Sequence, residues 1–302
     1  FKFLFLIPLL PDLAGIIHII FIMIILTDLN TSTLQCQKIP LNKLKKISHK
    51  INLIDFNKKS SLENVKIYWG NRLTETLYKK LKNLKWIHYG SSGFNESIVL
   101  DALKKKIIVT HSPEIYVKPV ISTVIGYIFS VFRGLHKVQN LKKGKYIDRN
   151  YFNKNSNIIK DVYGCNILIV GYGRIAKRLE QVLRIFDINL TIIGKSNAKN
   201  LKIYKIDQLK KKVRNQDCII NLLPNKQKYI NLFNKKIFKN FDKDTLFINV
   251  GRGETVNEKD LIYLIKSKKI YFACLDVILD EPIHSNHPLT KVENIVVSPH
   301  IA

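Results

Sequence analysis

Short runs of apolar, often β-branched residues alternate along this chain with longer stretches in which apolar positions recur at helical spacing among lysines. From Met23 the runs are MIILTD, INLIDF, NVKIYWG, LKWIHYG and KIIVTHS, with amphipathic segments around Pro40 to Ser48 and up to Leu81 between them. Strand-length runs separated by helix-length segments predict βα alternation and parallel sheets. After Pro119, the segment VISTVIGYIFSVFRGLHKVQNLKKGK keeps helical spacing beyond the length of an ordinary helix, and predicts a connecting helix. A second series opens at Cys165: CNILIVG, LTIIG, DCIINLLP, DTLFINVG, IYFACLDV and NIVVSPH. The expected fold class is α/β, with two βαβ domains, flavodoxin-like and Rossmann-like, built on doubly wound parallel sheets and joined by a long helix. The expected boundaries are 23–112 for the first domain and 113–298 for the second.

Residues 1–22 do not fit that alternation. They form an apolar run, FKFLFLIPLLPDLAGIIHIIFI, interrupted by Pro8, Pro11, Asp12, Gly15 and His18, and a charge deep in a bilayer is costly. Met23 is the single methionine of the chain and opens the first strand, so it is expected to be the natural start and 1–22 an upstream or non-native extension. A targeting segment is the alternative. No membrane partner is expected.

Composition changes this picture little. An apolar content of 46% suits packed cores, and 302 residues suffice for two domains. The net charge of +27 would ordinarily suggest a nucleic acid, but the basic residues are mostly lysines scattered through every segment, with no Arg-rich block. Such lysines give salt-sensitive, unspecific phosphate contacts at most, so no specific nucleic-acid function is expected. The four cysteines, Cys36, Cys165, Cys218 and Cys274, lie far apart without metal spacing, so neither a disulfide framework nor a zinc site is indicated, and a reducing, cytoplasmic compartment is expected.

Chemistry enters with NILIVGYGRIAKRLEQVL. Gly171 and Gly173 follow a buried strand and open a helix, and Ala176 stands where a third small residue is needed. The first glycine permits the tight turn, the second lets a pyrophosphate approach the backbone, and the alanine lets helix and strand pack closely. The next strand ends LTIIGKSNAK, where an NAD site ordinarily carries a carboxylate for the ribose 2′-hydroxyl. Here the position is Gly194, no acid occurs between Asp187 and Asp207, and Lys195 with Ser196 offers charge and a hydrogen bond to a 2′-phosphate. NADP is the expected cofactor, with NAD the second candidate.

Three further stretches, LFINVGRGETVNEKDL, ACLDVILDEPIHSNHPL and NIVVSPHIA, together with LKWIHYGSSGFNESIV and PVISTVIGYIFSVFR, resemble the D-isomer-specific 2-hydroxyacid dehydrogenases. The resemblance runs from about Met23 to Ala302. It implies a substrate domain followed by an NAD(P)-binding domain, and an enzyme moving a hydride between NAD(P)H and a small 2-keto acid of the glyoxylate or hydroxypyruvate kind. It places the catalytic residues at Arg252 of NVGRG, Glu281 of LDEP and His300 of SPHIA. Singly, such residues are ordinarily solvated; in this order and spacing they form a set. Reduction of a keto acid needs a proton donor beside the carbonyl oxygen, a part suited to His300. A carboxylate hydrogen-bonded to that imidazole, Glu281, fixes the ring, and the planar fork of Arg252 suits the substrate carboxylate and carbonyl. The resemblance also implies cofactor contacts from Arg174, Ile175, Leu223, Pro224, Val250, Gly251, Arg252 and Asp276, the last at the nicotinamide carboxamide. Ser91, Ser92 and Gly93 are implied as a backbone cradle for the substrate carboxylate. His284 and His287 read as loop residues.

The chain departs from the family in three places. Ser122 replaces an acid after the first domain, Lys226 replaces the threonine of the L-P-L-T segment, and 299–302 is expected to be only the start of the family's return segment, with its helix missing. Phosphoglycerate dehydrogenase is the alternative among enzymes, and a dinucleotide sensor, corepressor-like relative or inactive truncated copy the alternative outside them. A homodimer is implied by resemblance alone.

Overall fold

The computed structural model describes residues 23–28, 51–55, 62–90, 94–139, 159–195 and 201–302. Residues 1–22, the helix expected around Pro40 to Ser48, the Ser91 to Gly93 cradle and Ser196 lie outside the described residues. The chain divides into two compact units, Phe1–Ile115 and Tyr116–Ala302.

In the first unit the five apolar runs form β1 (Met23–Thr27), β2 (Ile51–Asp55), β3 (Ile67–Gly70), β4 (Trp86–Tyr89) and β5 (Ile108–His111). They make one parallel sheet of order β2-β1-β3-β4-β5. Helices α1 (Glu75–Lys80) and α2 (Glu96–Lys104) begin at side-chain caps: Thr74 Oγ1 accepts from Leu77 N, and Asn95 Oδ1 from Ser97 N. Their apolar stripes, Leu77 with Tyr78 and Ile98 with Ala102, pack with Leu26, Tyr68, Ile87 and Tyr89 of the sheet.

The second unit carries seven parallel strands: β6 (Asn166–Val170), β7 (Asn189–Ile193), β8 (Ile203–Tyr204), β9 (Cys218–Asn221), β10 (Leu246–Asn249), β11 (Phe272–Leu275) and β12 (Ile295–Val297). Their order is β12-β11-β10-β9-β6-β7-β8. Consecutive strands run outward from β6 in one direction and from β9 in the other, so the topological switch falls between β6 and β9. Ligands of open α/β sheets bind in the crevice beyond the strand ends at such a point.

Alternation along each strand splits the core into two layers. Ile167, Ile169, Ile220 and Ile248 face one side, where they meet α3 (Val117–Phe132) and α5 (Arg174–Leu183); Leu168, Val170, Ile219 and Phe247 face the other, with α6 (Leu209–Lys212), α7 (Lys235–Phe238) and α8 (Glu258–Lys266). Each such fully buried side chain contributes about 1.5–3 kcal/mol of transfer free energy.

Helix α3 is shorter than its pattern predicts. It begins before Pro119, which falls in the first turn where backbone N–H groups have no intrahelical acceptor, and it ends at Phe132 because Gly134 turns left-handed at φ 70°. The remaining periodic residues form a separate helix, α4 (Leu135–Gln139). The two-residue strand β8 was not expected from the pattern. No helix among the described residues is long and apolar enough to cross a membrane.

Candidate active site

The glycine loop sits at the switch point. Gly171 adopts φ 104°, and a Cβ there would lie 2.9 Å from the Leu222 carbonyl carbon and oxygen, so the loops after β6 and β9 touch through backbone alone. Gly173 is the N-cap of α5, and a Cβ on it would meet nothing within 4 Å. Open space therefore faces the helix N-terminus, whose first-turn amides at Ile175 and Ala176 and positive dipole end suit a phosphate. Ala176 is 1% exposed and packed in the core, as its small size demands. This arrangement fits a dinucleotide: the loop and first turn would hold the pyrophosphate.

At the end of β7, Gly194 lies against Tyr172, and Lys195 is exposed beside it. Leu223 and Pro224 follow β9, and Val250, Gly251 and Arg252 follow β10. The two segments are joined by a buried polar ring that sequence reasoning did not find. Asn221 Nδ2 donates to Asn249 Oδ1 at 2.9 Å and to Thr255 Oγ1 at 2.7 Å, while Asn221 Oδ1 accepts from Leu223 N at 3.2 Å. Asn249 Oδ1 also accepts from Gly251 N, and Asn249 Nδ2 and Thr255 Oγ1 both donate to Arg252 O, at 3.2 and 2.6 Å. All three side chains are within 1% of complete burial, and both Asn221 amide hydrogens and the amide oxygens of Asn221 and Asn249 are used within the ring and its flanking backbone. The only sequence signal was polar residues closing two otherwise apolar strands, CIIN and LFIN.

Arg252 is half-buried, and its Nη1 donates to Gly251 O at 2.7 Å. Glu281 and His300 meet directly: His300 Nδ1 lies 2.7 Å from Glu281 Oε2, with the side chains 49% and 36% exposed. Glu281 Oε1 accepts from Ile278 N at 3.2 Å, which ties the carboxylate to its own loop. Arg252, Glu281 and His300 occupy the loops that leave three adjacent strands, β10, β11 and β12, in one direction.

Asp276 is 2% exposed, and its carboxylate is engaged by the His300 segment: Oδ1 by Ser298 Oγ and Ile301 N, Oδ2 by Ala302 N. The Asp276 carbonyl oxygen accepts from His300 N at 3.0 Å. Tyr127 of α3 bonds Ser298 Oγ at 2.6 Å, and burial pushes its phenol up to about 12. In this structure Asp276 thus anchors the backbone that carries His300, at φ 52°. His287 also does more than sit in a loop: its Nδ1 accepts from Leu289 N, and its Nε2 lies 3.7 Å from Glu258. Among the described residues, Cys165, Cys218 and Cys274 are buried free thiols, with ionisation of each suppressed by burial, and no His, Cys, Asp and Glu cluster could hold a metal.

A Rossmann sheet with a glycine loop at its switch point, and a histidine–carboxylate pair in the loops beyond its parallel strands, is the arrangement of a dinucleotide-binding domain. The sequence profile of the D-isomer specific 2-hydroxyacid dehydrogenase NAD binding domain matches residues 125–302, and the chain belongs to that family. It is 29% identical to the glyoxylate reductase of Thermofilum pendens over 227 residues, covering 73% of this chain and 66% of that enzyme, just under two thirds. It is also 29% identical to glyoxylate/hydroxypyruvate reductase B of an Enterobacter species, covering 77% and 72%. Its fold is similar to that of the NADPH-dependent glyoxylate/hydroxypyruvate reductase of Sinorhizobium meliloti, solved with NADP and malonate, at TM-score 0.75 and 20% identity over 92% of this chain and 86% of that one.

Proposed function

We propose that the protein reduces a small 2-keto acid of the glyoxylate or hydroxypyruvate kind with NAD(P)H, preferring NADPH. The observation that carries this reading is the 2.7 Å contact between His300 and Glu281 on the NAD binding domain of this family. When bound, the dinucleotide supplies the hydride. His300 uses Nδ1 for Glu281, which leaves Nε2 to give a proton to the carbonyl oxygen that becomes the hydroxyl. Glu281 fixes the ring and balances the imidazolium charge before transfer. Arg252 directs its guanidinium at the substrate carboxylate and carbonyl. The cytoplasm is the proposed compartment and a homodimer the proposed assembly.

The test is the fall in NADPH and NADH absorbance with glyoxylate, hydroxypyruvate and pyruvate offered separately, for the wild type and His300→Ala. Turnover that favours NADPH and vanishes in the variant is the expected result. Dinucleotide binding without turnover on any of the three acids would replace this reading with a sensor.

A further inference from the structure

Gly194 stands where a carboxylate would grip an unphosphorylated ribose, and the structure shows what keeps one away. A Cβ built on Gly194 would lie 2.6 Å from Tyr172 Cβ, and 3.4 Å from both Tyr172 N and Ile203 Cγ2. A contact to a Cβ cannot be relieved by rotating a side chain, because that atom is fixed by the backbone. Nor can the backbones part easily. Gly171 N donates to Ile193 O and Gly194 N to Tyr204 O, both at 2.9 Å, so the loop and the strand end are tied on either side of the contact. Gly194 does not have a left-handed φ, so the neighbour rather than the torsion demands glycine.

Tyr172 is itself held in place. It is 9% exposed, and its hydroxyl donates to Glu180 Oε2 at 2.6 Å. Glu180, 7% exposed on the core side of α5, receives Arg184 Nε on its other oxygen at 2.9 Å. A buried carboxylate is costly unless paired and hydrogen-bonded, and this one is used to anchor the tyrosine of the glycine loop.

We propose that Tyr172 is a specificity-determining residue. Pinned by Glu180, it fills the space beside position 194, excludes an acidic side chain from the ribose end of the site, and leaves the 2′-position to Lys195. Dinucleotide preference is then set by packing within the loop as well as by charge. This rests on the NADPH reading above.

Dissociation constants for NADPH and NADH, measured by calorimetry on the unreacting protein, together with unfolding midpoints, test it. Gly194→Ala adds only the Cβ, and is expected to lower the midpoint by about 3–8 °C and to weaken both dinucleotides by about fivefold. In the Tyr172→Gly background the same change is expected to cost little. Gly194→Asp alone should gain no NADH affinity, whereas Tyr172→Gly with Gly194→Asp should bind NADH about tenfold more tightly than Tyr172→Gly does. A Gly194→Ala chain with unchanged midpoint and binding overturns the proposal without any Tyr172 variant. So does a Gly194→Asp chain that gains NADH affinity at an unchanged midpoint. A wild type that binds NADH as tightly as NADPH instead overturns the NADPH reading and the specificity role with it; the steric coupling, read from midpoints alone, separates the two failures.

Discussion

The two ends of the candidate site are built on opposite plans. Where the dinucleotide would lie, identity is forced by backbone contact: a Cβ on Gly171 would press on Leu222, on Gly251 it would lie 2.8 Å from Leu223 O, and on Gly253 only 2.0 Å from Ile278 O. At the proposed proton-transfer end, His300 and Glu281 are substantially exposed side chains whose own burial stabilises little. One end therefore tolerates change in chemistry but not in shape, and the other tolerates loss of bulk but not of function. Substitutions at the two ends should separate stability from turnover.

The largest effect is expected at His300. His300→Ala should lower kcat by about 10²–10⁴-fold while leaving the unfolding midpoint within about 2 °C, because it removes the proposed proton donor and little packing. A comparable loss of stability would show that the residue is structural. Gly253→Ala should behave in the opposite sense, costing about 3 kcal/mol in urea unfolding, since the Ile278 carbonyl has to move to admit a methyl group. A Gly253→Ala protein as stable as the wild type would break the contrast.

The Asn221–Asn249–Thr255 ring lies between the extremes and should show both effects in smaller measure. Thr255→Val keeps the shape and removes the hydroxyl, leaving an Asn221 N–H without its acceptor and Arg252 O with one donor fewer. The expected cost is about 1–2 kcal/mol of stability, with kcat/KM reduced by about tenfold. Thr255→Ser, which restores the hydroxyl, should recover most of the kcat/KM. If Ser and Val lose equally, the methyl group and not the hydrogen bond is what matters.

Much of this site was legible in the sequence because its parts are local. G-Y-G-R-I-A reads as strand, turn and helix start from residues a few positions apart, NVGRG and SPHIA each mark the end of a strand, and LDEP falls in the loop after β11. The pairing of Glu281 with His300 was implied by the family resemblance, and the structure supplies its distance. What could not be read depends on residues remote in sequence meeting in space. Nothing in CIIN or LFIN tells that Asn221 and Asn249 face each other across neighbouring strands, or that Thr255 closes their ring. Asp276 was expected only as a cofactor contact; that its oxygens meet the amides of Ile301 and Ala302 depends on how the loop after β12 turns. The over-long reading of α3 had a different origin, because helical spacing persists through Gly134 and periodicity does not register a left-handed turn.

The comparison also extends to the first unit, where the smallest effect is expected. His88 on β4 holds Thr110 Oγ1 with Nδ1 at 2.8 Å and Ser112 Oγ with Nε2 at 3.0 Å, between Trp69 and Trp86. Burial, and secondarily the nearby charge of His111, lowers its pKa to about 4. The fold therefore favours the neutral ring. Between the ordinary value of 6.5 and about 4 the unfolded chain takes up a proton that the folded unit refuses, so stability falls as pH drops through that window and is independent of this group above it. With part of the ring in contact with solvent, the loss should be about 1–2 kcal/mol. Both tryptophans of the chain lie in this unit, so tryptophan fluorescence follows its unfolding selectively. Urea midpoints read this way at pH 7 and pH 5 should differ in the wild type and converge in His88→Asn. An equal pH dependence in both proteins would assign the effect to groups outside the β4–β5 pair and remove His88 from the account.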